Sequence, residues 1–239
     1  METSNAIFAV MGILVGCFVF YMLKPLTYDP VEPLEEKWWG EGAPINQTTE
    51  IFPFKVQASE QELDDLKTRL ENTRYFSSLE ESGWKYGSRP DFMKDVVKYW
   101  LDTFSWKSQE KIINSFEHFK TDIDGISLHF IHAKPRKISP GTKVLPILLL
   151  HGWPGSFFEF YKVIPLLTEE KDGFVFEVIV PSLPGYGFSS PSRKKGMGPE
   201  YMADIMLKLM TRLGWPSFYV QGGDWGSVVA RFIAVLFPK

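Results

Sequence analysis

Asp224 stands in a setting that suits chemistry: Gln221-Gly222-Gly223-Asp224-Trp225-Gly226-Ser227. An apolar run, Phe218 to Val220, leads into it, and a helical pattern follows through Val228, Val229, Ala230, Phe232, Ile233 and Leu236. This is the layout of a nucleophile elbow, a sharp strand-to-helix turn that holds a reactive side chain above a sheet. Gly222 and Gly226 have a steric reason, since they let strand and helix backbones pass closely on either side of the turn. Where a serine is usual, this chain has an acid. A carboxylate at a helix N-terminus is favoured in its ionised form and can attack carbon directly. Taken alone, Gly-x-Asp-x-Gly is also an ordinary glycine turn, so its partners must come from elsewhere in the chain.

The first partner is His151-Gly152-Trp153-Pro154-Gly155-Ser156, directly after the apolar run Val144 to Leu150. In an elbow architecture one oxyanion-hole N–H comes from a turn after such an early strand, and the other from the residue after the nucleophile. That assigns the backbone N–H groups of Trp153 and Trp225. His151 is a candidate base, but a histidine in this turn more often fixes the loop by hydrogen bonds. It is read, with Gly152 and Pro154, as a turn residue. A third motif, Pro184-Gly185-Tyr186-Gly187-Phe188-Ser189, reads as a structural turn that sets Tyr186 in the pocket wall. Ser227, a helical turn beyond Asp224, reads as a packing residue.

The elements that must hold these groups alternate. Leu128 and Phe130 recur at period two after Ile126, which predicts a strand, and the run Val144–Leu150 predicts one buried on both faces. Ser156 with Glu159 predicts a capped helix over 156–167. Another strand is expected over Phe174–Val180. A helix over 199–213 follows, with Pro199 at its start and Gly214 after its end. Strands alternating with helices predict a mostly parallel α/β sheet with ligands at the carboxyl ends of its strands. Upstream the pattern is helical. Ser59 with Glu62 makes a capping box before Leu63, Leu66 and Leu70. A second helix starting near Asp91 is expected to bury Phe92, Val96, Val97 and Trp100, and a third runs from about Ser105 to Phe116 through Trp106, Ile112 and Ile113. Residues 25–50, rich in Pro, Glu and Gly, read as a linker whose Trp38-Trp39 sits at a membrane interface or caps a groove on the body.

Composition narrows the classes further. The 239 residues carry a net charge of −3, which gives no sign of nucleic-acid binding, and the single Cys17 excludes a disulfide framework or a cysteine metal cluster. Ala6 to Leu23 holds no charged residue. As a helix it is about 27 Å long, enough for a thin bilayer. No basic residue precedes it and no small-x-small site follows, so it reads as an uncleaved anchor and not a signal peptide. Lys24 and Lys37 follow the span, which places the body on the cytosolic side and leaves the Asn46-Gln47-Thr48 sequon unused. Gly12-x-x-x-Gly16 could pair two such helices, which leaves a homo-oligomer open. The expected organisation is therefore an anchor over residues 1–24, a linker and helical region over 25–125, and an α/β core over 126–239.

Taken together and in order, HGWPGSFFEFYKVIPLL, PSLPGYGFS and QGGDWGS resemble the microsomal-type epoxide hydrolases, an α/β-hydrolase family that includes the insect juvenile hormone epoxide hydrolases. The resemblance extends to the anchor, Trp38-Trp39-Gly40, Phe52-Pro53-Phe54-Lys55 and Ser82-Gly83-Trp84-Lys85-Tyr86-Gly87, and so covers nearly the whole chain. It implies an α/β-hydrolase fold on an endoplasmic reticulum membrane. It also implies Asp224 as the nucleophile on a small apolar epoxide, an enzyme-bound ester, a vicinal diol as product, and no metal or cofactor.

The family places its catalytic His, a paired acid and lid tyrosines after the nucleophile. Here all four histidines (His118, His129, His132 and His151) precede Asp224, and no acid or tyrosine follows it. The chain is therefore expected to be an N-terminal portion with a truncated sheet and doubtful activity of its own. A haloalkane dehalogenase is a rival with the same elbow. From another class, the rival is a non-catalytic membrane-bound isoform that partners the full-length enzyme.

Overall fold

The computed structural model of the chain describes residues 34–237, so the expected anchor over Ala6–Leu23 lies outside the described residues. Among those described, no helix is long and apolar enough to cross a membrane. The strands are β1 (Phe52–Phe54), β2 (His118–Ile123), β3 (Ile126–Ala133), β4 (Lys143–Leu150), β5 (Phe174–Pro181) and β6 (Tyr219–Gly222). They form one sheet in the order β1-β2-β3-β5-β4-β6. The helices are α1 (Glu60–Glu71), α2 (Pro90–Asp102), α3 (Trp106–Ile113), α4 (Ile164–Leu167), α5 (Pro199–Arg212) and α6 (Trp225–Leu236).

The sheet is mixed, which corrects the mostly parallel expectation. β4 pairs in parallel with β5 and with β6, whereas β1–β2, β2–β3 and β3–β5 are antiparallel. Two strands that carry no helix-strand alternation cause the difference. β2 and β3 make a hairpin closed by Asp124-Gly125, both at positive φ (50° and 87°), with Ile123 opposite Ile126. That dipeptide is the standard signal for a two-residue hairpin, because both central positions need positive φ. The boundary expected between residues 125 and 126 falls inside this hairpin, and β1 and β2 give the helical region two strands of its own.

Strand alternation sorts the core into two layers. Leu148, Leu150, Ile179 and Phe130 face α5 and α6 with Ala203, Met206, Leu209, Val229 and Ile233. Leu149, Val178, Val180 and Ile131 face the other way, toward Ile113, Phe157 and Ile164. Strands buried on both faces must be apolar throughout, which is why Val144–Leu150 reads as a continuous run.

The predicted helix over 156–167 is broken. A 3₁₀ turn (Phe157–Phe160) and the short α4 replace it, and the Ser156 hydroxyl accepts from the Phe158 N–H, with no capping box to Glu159. Pro165 has no N–H to donate into a preceding turn, so one helix cannot run through. The other elements start as their patterns predict. Ser59 and Glu62 close a capping box on α1, at 2.8 Å and 3.2 Å. The third expected helix stops at Ile113, where Asn114 caps it.

Residues 36–50 are a fitted strap and not a free linker. Trp39 is buried, edge-on to Tyr201 at 4.9 Å, and its N–H donates to the Asp124 carbonyl. The Trp38 ring lies against Gly40 and Gly125, where a β-carbon on Gly125 would stand 2.2 Å from the Gly40 nitrogen.

Candidate active site

β6 ends beside β4, with Leu150 opposite Gly222, and the Gly223 N–H still reaches the Leu150 carbonyl at 3.4 Å. The chain then reverses into α6 through Asp224, at φ 48° and ψ −123°. That ψ lies outside the left-handed helical well. A non-glycine residue held there carries strain of about 1–3 kcal/mol, which the surrounding structure must override. Two close approaches show what enforces it. A β-carbon on Gly222 would stand 2.3 Å from the Gly226 carbonyl carbon and oxygen, and one on Gly226 would stand 2.2 Å from the Leu150 oxygen. The strand, the turn and the helix pack backbone to backbone, and only glycine fits.

The Asp224 side chain does not cap its own helix. It turns instead toward the loop after β4, where the Trp153 N–H donates to Oδ1 at 2.8 Å. Gly152 makes room, since a β-carbon there would stand 2.5 Å from the Asp224 Cβ. The Trp153 N–H holds the Asp224 carboxyl below its ordinary range, and the Trp225 N–H adds to the effect. Hydrogen bonds to the charged form are the physical cause, so the group is a carboxylate at neutral pH. The Trp153–Pro154 peptide bond is cis. Asp224, Trp153 and Trp225 are all exposed among the described residues. Ser227 donates its hydroxyl to the Asp224 carbonyl at 2.6 Å, which ties down the first turn of α6.

His151 is fully buried, and both ring nitrogens have partners. Nδ1 faces the Gly152 carbonyl at 3.1 Å, and Nε2 accepts from the Leu183 N–H at 3.0 Å. A backbone N–H can only donate, so Nε2 is bare and Nδ1 carries the proton. Burial pushes its pKa down. The Tyr186 ring meets it edge-on at 5.2 Å, and Tyr186 also lines a cavity of about 270 Å³ with Leu183, Met197, Pro199, Met202 and Trp225. Sequence reading did not single out Leu183, Met197 or Met202. Leu183 contributes through its backbone N–H, which no side-chain pattern reveals, and Met197 and Met202 flank Pro199 without a motif of their own.

The other three histidines hydrogen-bond away from Asp224. Ser182 Oγ, His129 and His118 form a buried row, with 2.8 Å from Oγ to His129 Nδ1 and 2.8 Å from His129 Nε2 to His118 Nδ1. His118 Nε2 ends the row on the Ile113 carbonyl at 2.8 Å. Because that carbonyl only accepts, every donor direction follows: His118 Nε2–H, His129 Nε2–H and the Ser182 hydroxyl all point toward Ile113. Burial is the main cause that lowers His129 to about 3, and it lowers His118 as well. His132 pairs with Glu177 at 2.6 Å, and Trp215 donates to the same carboxylate at 3.1 Å.

Residues 51–160 match the family "Epoxide hydrolase N terminus", and residues 146–239 match "alpha/beta hydrolase fold". The chain is 48% identical over 229 residues to "Epoxide hydrolase 1" of Oryctolagus cuniculus, covering 93% of this chain and 50% of the relative. It is 42% identical over 233 residues to "Juvenile hormone epoxide hydrolase 1" of Ctenocephalides felis, covering 97% and 49%. Among solved structures, the juvenile hormone epoxide hydrolase of the silkworm Bombyx mori superposes with a TM-score of 0.80 at 42% identity, over 85% of this chain and 49% of that one. The Aspergillus niger epoxide hydrolase gives 0.68 at 37% identity, over 83% and 51%. The chain thus spans about half the length of the curated relatives it matches.

Proposed function

The chain belongs to the epoxide hydrolase family over that family's N-terminal half, and on that premise we propose that Asp224 opens epoxides as a carboxylate nucleophile. One observation carries the reading. The carboxylate sits strained at the elbow, ionised, with one oxygen on the Trp153 N–H at 2.8 Å. An Asp224 oxygen attacks an oxirane carbon, the ring C–O bond breaks, and the released alkoxide takes up a proton. The product is a hydroxyalkyl ester of Asp224. Water then adds to the ester carbonyl, whose oxygen develops negative charge facing the Trp153 and Trp225 N–H groups. Collapse frees the vicinal diol and regenerates the carboxylate. An acid suits this role because a serine would form an ether in the first step, and water does not readily cleave an ether.

The second step needs a general base, which the family resemblance assigns to a His–acid pair. His118, His129, His132 and His151 are all engaged elsewhere. These 239 residues alone are therefore expected to stop at the ester. Incubation with styrene oxide should give a one-to-one adduct by intact mass, mapping to the Asp224 peptide and absent in Asp224→Ala. An adduct that persists in that variant would remove Asp224 from the role.

The uncharged run Ala6–Leu23 and Lys24 after it support a single anchor in the endoplasmic reticulum, with the body in the cytosol. Asn46 is exposed. It should nevertheless carry no glycan in microsomes, and a mass shift on endoglycosidase treatment would reverse this topology.

A further inference from the structure

Two exposed loops carry three cations apiece, and they stand at opposite ends of the sheet. Lys134, Arg136 and Lys137 follow β3 and lead into the amino end of β4. They share their hollow with Glu117, Glu169 and Glu170. Arg193, Lys194 and Lys195 come after the carboxyl end of β5 instead. β5 and β6 both run parallel to β4, so this second loop lies at the end where Asp224 leaves β6. Residues 191–198 contain no acid, and among the described residues the three cations make no ion pair.

The second loop is also a built feature. Ser192 donates its hydroxyl to the Lys194 carbonyl at 2.7 Å and accepts from the Lys194 N–H at 3.0 Å. The Arg193 N–H donates to the Trp39 carbonyl at 2.7 Å, which ties the loop to the strap. On the same strap the Lys37 ammonium lies 4.6 Å over the ring of Tyr201, in the first turn of α5. Trp39 follows Leu23, the last residue of the uncharged run, by only sixteen residues, so the strap is where an anchor would tether the body. The exposed aromatics Trp84, Tyr86 and Trp100 are a second surface that could meet a bilayer. The cations Arg89 and Lys98 near them are already paired, with Asp91 and Asp102.

We propose that Arg193, Lys194 and Lys195 dock on the headgroups of an anionic bilayer and so face the Asp224 end of the sheet toward the membrane. The proposal rests on the single anchor proposed above. Each cation near an anionic leaflet strengthens the contact about fivefold. The docked orientation puts the exposed Trp153 and Trp225 on the side from which a bilayer-dissolved epoxide arrives.

The test is hydrogen exchange, read by mass spectrometry, of the full chain in phosphatidylcholine liposomes with and without phosphatidylserine. Phosphatidylserine should slow exchange over residues 192–196 about tenfold and leave residues 134–142 unchanged. Lys194→Glu combined with Lys195→Glu should abolish the slowing, whereas Arg136→Glu combined with Lys137→Glu should keep it. The proposal is overturned if residues 192–196 are not slowed, or if the slowing survives the first pair of changes. Slowing over the aromatic stretch 76–86 in place of 192–196 overturns it as well.

The anchor is read separately, by alkaline carbonate extraction of microsomes that carry the chain, where retention is expected. A chain that is extracted, yet slowed over 192–196 by phosphatidylserine, would keep the docking loop and remove the anchor. A chain that is retained without slowing would keep the anchor and remove the loop.

Discussion

The sheet body and the α1–α2 pair carry equally regular apolar patterns, yet they end in different environments. In the body every predicted strand face finds a layer: Leu148, Leu150 and Ile179 on one side, and Leu149, Val178 and Val180 on the other, nearly all fully buried. In α1 and α2 no residue is buried. Phe92 and Trp100, expected to be covered, are 47% and 41% exposed, and Val96 and Val97 are only half-buried. α1 and α2 lean on each other and on Phe104 and Trp106, and among the described residues nothing covers their outer face. Periodicity says which residues share a face. What that face meets is a property of the assembled chain.

The contrast can be broken or sharpened by measurement. The largest expected effect is acid sensitivity confined to the body. His129 titrates near 3 when folded against an ordinary 6.5, so between those values the unfolded chain binds more protons. Stability should therefore be fully present above pH 6.5 and lost as pH falls toward 3, by on the order of 5 kcal/mol in total. Urea midpoints at pH 7 and pH 4.5 would show this, and equal midpoints would mean that the histidine row is not carrying the load.

Next comes Leu148→Ala, which removes a fully buried side chain between two packed layers. It should cost about 3 kcal/mol in chemical denaturation. A loss under 1 kcal/mol would show that the β4 core collapses around the gap.

Asn114→Ala tests the joint between the regions. The Asn114 amide pairs with both backbone groups of Val56, at 2.9 Å and 2.8 Å, as a neighbouring strand would. Its loss should cost about 1–3 kcal/mol, since it leaves a part-buried N–H and C=O unpaired. Hydrogen exchange should accelerate around Val56 and Ala58, and an unchanged Val56 amide would refute the joint.

The smallest effect is expected for Trp100→Ala, within about 0.5 kcal/mol, despite the size of the ring. A loss above 2 kcal/mol would mean that α2 is covered after all.

The turn at Asp224 and the turn after β4 were legible because each sets a strand end, glycines and a particular side chain within a few residues. Asp224, Gly222, Gly226, Gly152 and Trp153 all meet where that logic places them. β1 was not legible, since Phe52-Pro53-Phe54 is a three-residue edge strand too short to show a period. β2 alternates weakly through His118-Phe119-Lys120-Thr121, and only the Asp124-Gly125 turn marks it. The break at Pro165 was written in the sequence too, but Ser156 and Glu159 matched a capping box and masked it. The histidine row was out of reach. It joins residues 118, 129 and 182 with a backbone carbonyl at 113, and their spacing carries no pattern.

His151 has a consequence of a different kind. A ring with both nitrogens engaged acts as a ruler between two loops, setting how far the Trp153 amide stands from the wall at Leu183. Burial pushes the pKa of that ring down, which disfavours the charged form that would lose the bond to the Leu183 N–H. The turn that carries the Trp153 amide and the loop that begins at Leu183 thus share one gauge.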